Sequence, residues 1–294
     1  MPRPGIFKLF VIPVISAMTI AAFAFPGLYE TGTKQMEDEA RLKKILRSTG
    51  EYCERVKKIA LKYICQENII DIENFFQGAT QTMGMHLERE TFTVRLVKRQ
   101  TYMYEYQLIR QEDNLSERRI MLKKNGRKKN KKNANLNHLK YYSQYLIYGP
   151  VGFLSRYWQQ HFQYSLIGKD TTDGEPVSII QAVPNKVRLD NYNIGRIWIN
   201  EDFQIVRLEW EPASIQNYEN EVMTSRFGSF QKKVMWAVDY TYEKNGVRFP
   251  GRQLIQEVFF RNSDDGSEQK AVKRETRIEY NSYKFFTVET KVIF

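Results

Sequence analysis

Two hydrophobic periods divide the chain. Leu42, Ile45, Leu46, Val56, Ile59, Ala60 and Tyr63 recur at steps of three and four, with Arg41, Lys43, Lys44, Arg47, Glu54, Arg55, Lys57 and Lys58 between them. That spacing predicts an amphipathic helix of about seven turns packed on a core. Gly50 is its weak point. From about residue 65 the period becomes two. Strands are predicted at Asn68–Phe76, Thr91–Arg99, Met103–Arg110, Leu115–Lys123, Tyr164–Gly168 and Val177–Val183. Further strands are predicted at Gly195–Asn200, Ile205–Trp210, Met235–Tyr242, Arg248–Phe260, Val272–Tyr280 and Thr287–Phe294. Asn125-Gly126, Asp173-Gly174, Asn245-Gly246 and Asp265-Gly266 supply the positive φ of tight hairpin turns. Consecutive hairpins make an antiparallel meander.

Alternation gives the sheet one apolar and one wet face. Val206, Leu208 and Trp210 oppose Arg207, Glu209 and Glu211, and Ile278 and Tyr280 oppose Arg277 and Glu279. The apolar face needs a cover, and two helices are available: the long N-terminal one and a shorter one near Gly152–Phe162. The expected fold is therefore α+β. It is a large curved antiparallel half-barrel of about 11–12 strands, covered on its concave face by those helices. An aromatic content of 14% suits such a pleated surface.

The N-terminus reads as an address. Arg3 and Lys8 precede an apolar run from Leu9 to Phe25, and Ala22-Phe23-Ala24 is a small-x-small cleavage pattern. The expected organisation is a signal peptide over 1–24, a linker over 25–35 and a single domain over 36–294. Pro13 and the short run argue against a spanning anchor. Export to an oxidising compartment bears on Cys53 and Cys65. On an unbroken helix they would stand about 18 Å apart, beyond disulfide reach. They either pair, if the helix ends before Cys65 and the chain folds back, or remain two buried thiols.

Charge is local. The chain has 45 Lys+Arg against 34 Asp+Glu, a formal +11. Twelve of the cations, and no Asp or Glu, lie between Arg118 and Lys169. The densest part is a basic loop over 123–140, with Lys123, Lys124, Arg127, Lys128, Lys129, Lys131 and Lys132. These seven are candidates for docking on an anionic surface. An exported chain has no nucleic acid to meet, so a nucleic-acid partner is not expected.

Catalytic chemistry is sparse. Two cysteines and three histidines leave little for metal or acid–base work, and no phosphate loop, nucleophile elbow or His-Glu-x-x-His is present. His86-Leu87-Glu88-Arg89-Glu90 would put His86, Glu88 and Glu90 on one strand face, but a polar strand explains it equally well. No enzyme, cofactor or metal is expected. A cavity between sheet and lid is a natural apolar site. Its candidate lining is Phe153, Trp158, Ile197, Ile199, Val206, Leu208 and Trp210.

One stretch carries a family resemblance. Tyr164-x-Leu166-x-Gly168, Asp173-Gly174 and Val177 lead to Gly195-Arg196-Ile197-Trp198-Ile199-Asn200, which turns and returns as Ile205-Val206-Arg207-Leu208-Glu209. Val238-x-Tyr240-x-Tyr242 and Asn245-Gly246-Val247-Arg248-Phe249-Pro250 form the next hairpin. Over about residues 160–260 this resembles the outer-membrane lipoprotein-sorting (LolA-like) carriers. The resemblance implies an incomplete barrel with a helical lid, a periplasmic location, a monomer, and shelter for a lipid acyl chain or lipoprotein. The alternative it implies is a sensor similar to the RseB-like proteins, which regulate a membrane protein partner. The lid-locking arginine of the transport carriers has no counterpart that the sequence identifies, and the basic stretch reads as an insertion.

Overall fold

The β-branched and aromatic alternation after residue 62 builds one sheet. The computed structural model describes residues 26–83, 87–111, 114–142, 145–185, 195–210, 222–225, 228–262 and 268–286. The chain divides into two units, Met1–Asp38 and Glu39–Phe294. Of the first, only the opening turns of helix α1 (Pro26–Ile59) are described, so residues 26–35, expected as a linker, are helical. The candidate leader over 1–24, His86 and the side chains of Glu88 and Glu90 lie outside the described residues, as do the strand Thr287–Phe294 and the Asp265-Gly266 turn.

The main unit holds β1 (Tyr63–Met83), β2 (Leu87–Gln111), β3 (Asn114–Lys124) and β4 (Arg127–Lys131). Short helices α2 (Gly149–Leu154) and α3 (Arg156–Gln159) follow. Next come β5 (Phe162–Thr172), β6 (Glu175–Pro184), β7 (Gly195–Asn200), β8 (Ile205–Trp210), β9 (Val222–Ser225) and β10 (Gly228–Asp239). The small hairpin β11 (Tyr242–Lys244) and β12 (Val247–Phe249) precedes β13 (Arg252–Asn262) and β14 (Glu268–Phe285). The main sheet runs β4-β3-β2-β1-β14-β13-β10-β8-β7-β6-β5, with β9 attached to β10. It is antiparallel and is not closed: β4 and β5 are its two edges. Its long central pairing is β1 with β14, the first strand with the last.

That order has a consequence for the connection over 132–161. β4 and β5 follow each other in sequence but sit at opposite edges, about 48 Å apart along the sheet at ordinary strand spacing. The connection therefore crosses the sheet. It does so over the apolar face, and Leu136, Leu139, Tyr141, Leu146, Ile147, Val151, Phe153 and Leu154 are buried there. The cover is thus broader than two helices. The expected single helix near Gly152–Phe162 is split at Ser155, which is extended at φ −64°, ψ 150°, and Phe162 already belongs to β5.

The α1 face that covers the sheet is Ile45, Thr49, Tyr52, Cys53 and Val56, all buried and falling on one side of the helix, with buried Ala60 just past its end. Fully burying such an apolar side chain stabilises by about 1.5–3 kcal/mol. Gly50 does not break the helix. A Cβ there would stand 3.1 Å from Arg156 Cγ, so Gly50 lets α1 pass closely over the start of α3. The last turn carries Lys57 and Lys58, which complement the helix dipole. Tyr63 begins β1 instead of continuing the helix.

Three of the four Asn/Asp-Gly pairs are described, and each makes its turn with positive φ at both residues: 49° and 76° at Asn125-Gly126, 51° and 83° at Asp173-Gly174, 53° and 69° at Asn245-Gly246. The basic stretch is therefore a hairpin, β3–β4, at the sheet edge. Beyond it, the segment over residues 134–141 buries Leu136, Leu139 and Tyr141 and leaves Asn135, Asn137, His138 and Lys140 exposed.

Candidate functional site: the lidded face of the sheet

Neighbouring strands align their inward side chains in rows. One row reads Tyr102, Ile69, Ile278, Gln253, Val238, Leu208, Ile197 and Ile180, from β2 to β6. The next reads Asp71, Thr276, Ile255, Trp236 and Trp210. An aromatic run continues from the second row into the lid. Ring centroids are 5.3 Å apart for Trp236–Trp210, 6.4 Å for Trp210–Phe153 and 5.6 Å for Phe153–Phe162. A second aromatic cluster, Tyr63, Phe249, Tyr283 and Phe285, packs where β1 meets β14.

Side-chain hydrogen bonds pin the lid to this face. Tyr240 Oη donates to the Leu146 carbonyl at 2.9 Å, and the Arg248 N–H donates to Tyr52 Oη at 3.1 Å. Tyr164 Oη donates to the Phe153 carbonyl. Lys140 Nζ lies 3.0 Å from the buried Glu257 carboxylate, and Arg41 donates to Ser178 at 2.8 Å.

A buried charge cluster holds the β3 side. Arg119 Nε and Nη2 donate to the two Glu67 oxygens at 2.7 and 3.1 Å, and Nη1 donates to Glu117 at 2.7 Å. Tyr280 Oη donates to Glu67, and Tyr106 Oη and the Tyr145 N–H donate to Glu117. The Arg119 guanidinium also lies 4.7 Å from the Tyr106 ring centroid. Burial alone would pull Arg119 down, but Glu67 more than offsets this and holds it charged. Burial pushes the Tyr106 and Tyr280 hydroxyls well above their ordinary range. Sequence reading missed this cluster and only counted Arg119 among the twelve cations of the basic stretch. The available signal was Glu67, which shares the inward parity of Cys65 and Ile69.

Of the seven candidate cavity residues, Phe153, Ile197, Ile199, Leu208 and Trp210 meet in the main core. Trp158 packs half-buried at its rim, on α3. Val206 does not join them. Trp198 pairs with Arg207 but Ile199 with Ile205, so Val206 is the extra residue of a β-bulge. The bulge gives Ile205 the core position and sends Val206 to the other face, where it clusters with Val177 and Trp198.

The opposite face is charged and open. Arg207 binds Asp239 and Glu209, each at 2.7 Å, and lies 5.6 Å from the Trp198 ring centroid. A cleft of about 430 Å³ opens there beside Trp198 and Arg252, and one of about 380 Å³ is lined by Arg207, Met235 and Leu254 of this face together with Trp210, Val234 and Trp236 of the other.

Cys53 and Cys65 are free and buried, so the disulfide alternative does not hold in this structure. Cys53 Sγ instead donates to the Pro150 carbonyl at 3.5 Å. Burial pushes the Cys53 thiol up to about 12 and raises Cys65 as well, so neither is a ready nucleophile. Among the described residues no group of three His, Cys, Asp or Glu side chains is placed to hold a metal ion. No described helix is long and apolar enough to cross a membrane.

Six of the seven docking candidates are exposed. β4 is exposed throughout, and so is Lys123, while Lys124 is half-buried with Nζ 5.4 Å from the Tyr102 ring centroid. Lys123 pairs directly with Lys128, and Lys124 with Arg127. Like charges facing each other across a hairpin destabilise it.

No protein-family model and no curated protein matches the sequence. Solved structures do. They include a DUF1329 family protein from Desulfovibrio piger at 10% identity and TM-score 0.33, covering 84% of this chain and 95% of that one. A domain named for outer-membrane lipoprotein sorting, from Vibrio parahaemolyticus, matches at 10% identity and TM-score 0.33, over 81% and 92%. A LolA superfamily protein from Nitrosomonas europaea matches at 11% identity and TM-score 0.32, over 82% and 94%.

Proposed function

We propose that the protein is an exported, periplasmic carrier, without enzymatic activity, that shelters an acyl chain of a lipid or lipoprotein between the sheet and its lid. One observation supports this above the others. The apolar face spans the sheet from β2 to β6, yet its cover, α1 and the connection over 132–161, is held to it by packing, scattered hydrogen bonds and the Lys140–Glu257 ion pair, not by strand pairing. Such a cover can lift while the sheet stays whole. Each CH₂ withdrawn from water contributes about 0.8 kcal/mol, so a chain sliding under Phe153, Leu208 and Trp210 can offset the packing it displaces. The β3–β4 hairpin is the docking element. An anionic membrane relieves the Lys123–Lys128 and Lys124–Arg127 repulsions, at about 1 kcal/mol for each cation near the surface.

Lipid extraction and mass spectrometry of the purified protein test this. The expected result is a stoichiometric acyl lipid, with flotation on phosphatidylglycerol vesicles at low salt that is lost when Lys123, Lys124, Arg127 and Lys128 are changed to Gln. A second reading, a sensor that binds a membrane protein partner, is favoured by the cleft beside Trp198 and Arg252 on the open face. Recovery of one stoichiometric protein and no lipid would replace the carrier with the sensor.

A further inference from the structure

The lidded face contains polar atoms that the closed lid leaves unpaired. Gln253 is 1% exposed, in the middle of the first row, between Ile278 and Val238. Neither its Nε2 nor its Oε1 has a hydrogen-bond partner. Trp236 Nε1 is buried and unpaired as well. Trp236 is the diagonal neighbour of Gln253, since Val238 faces Gln253 and Trp236 faces Ile255. Burying a donor or acceptor without a partner is costly, and native structures pair nearly all of them. Other buried polar groups on this face are paired, as Asp71 accepts from Thr276 Oγ1 at 2.9 Å and Glu67 from Arg119 and Tyr280, while Tyr104 Oη on β2 is unpaired like Gln253 and Trp236. Gln253 and Trp236 differ from the other unpaired groups in standing side by side, and the pair offers N–H donors from both and one carbonyl acceptor from Gln253, beside the aromatic run Trp236–Trp210–Phe153–Phe162.

We propose that Gln253 and Trp236 form the polar anchor for a secondary amide at the head of an acyl chain. The amide carbonyl accepts from Trp236 Nε1, its N–H on the opposite side donates to Gln253 Oε1, and the chain lies along Trp210 and Phe153. An ester supplies the carbonyl but no N–H, and an alkane supplies neither. The anchor rests on the carrier reading and adds the class of head group.

The test measures displacement of a fluorescent dodecanoyl probe from the purified protein by four competitors. They are N-methyldodecanamide, methyl dodecanoate, dodecane and the chainless N-acetylglycine N-methylamide. The expected order is amide over ester by about tenfold, as one buried hydrogen bond gives, then dodecane, with no displacement by the chainless amide. Gln253→Leu should reduce the amide–ester ratio to within twofold while melting no lower than the parent, because it removes two unpaired polar atoms. Trp236→Phe should weaken amide and ester alike and leave dodecane unchanged. Equal displacement by amide, ester and dodecane, or a preserved preference in Gln253→Leu, overturns the anchor and leaves the carrier standing. Displacement by the chainless amide as strong as by N-methyldodecanamide also overturns it, because the site would then recognise peptide. Failure of the dodecanoyl probe itself to bind overturns the carrier and the anchor together.

Discussion

Replacing Arg119 with Met should destabilise the protein by about 3–5 kcal/mol, the cost of leaving a buried carboxylate without its partner. Glu67 and Glu117 both lie within 2.7 Å of the guanidinium, and the Glu67 side chain is fully buried. Without Arg119, two carboxylates face each other across β1, β2 and β3 with only tyrosine hydroxyls and one backbone N–H to satisfy them. Urea denaturation of the variant measures the loss. A Glu67→Gln, Arg119→Met double variant should recover part of it, because one of the stranded charges is gone. A loss under about 1 kcal/mol for the single variant would place the cluster in solvent, against the structure.

Phe153→Ala carries the second large effect, about 3–5 kcal/mol for a large aromatic in a core. Phe153 is 2% exposed and joins Trp210 on β8 to Phe162 on β5. It belongs to the lid, so its loss should be felt first there. Hydrogen exchange should quicken over residues 146–159 while the β8 and β10 amides keep their protection. Equal loss of protection across lid and sheet would mean that the two open only together, and the carrier would lose its entry route.

Local chemistry was readable in the sequence wherever it was decided locally. Asn125-Gly126, Asp173-Gly174 and Asn245-Gly246 make their predicted turns because positive φ is a property of those residues. The buried stripe of α1 follows from period alone. Boundaries depended on neighbours. Thr91–Arg99 and Met103–Arg110 fuse into β2 because the polar Gln100 and Thr101 still pair with Asp71 and Ile70. Arg248–Phe260 breaks into β12 and β13 around Pro250, which has no N–H for a ladder. Strand order was not readable. Nothing local to Tyr63 or Phe285 announces that the first and last strands pair, and that pairing is what sends residues 132–161 across the sheet. The site suffered in the same way. Leu208, Trp210, Ile197 and Phe153 came out by alternation and apolarity. Val206 was misplaced by a one-residue bulge, and Arg119 and Gln253 acquire their meaning only from partners, or the lack of them, on distant strands.

The most direct test of the lidded face as an acyl site is photo-crosslinking with a dodecanoyl chain carrying a terminal diazirine, followed by peptide mapping. The carrier predicts saturable labelling within Phe153, Ile197, Leu208 and Trp210, competed by excess unlabelled chain. Labelling confined to the open face around Trp198 and Met235, or none that saturates, would contradict it.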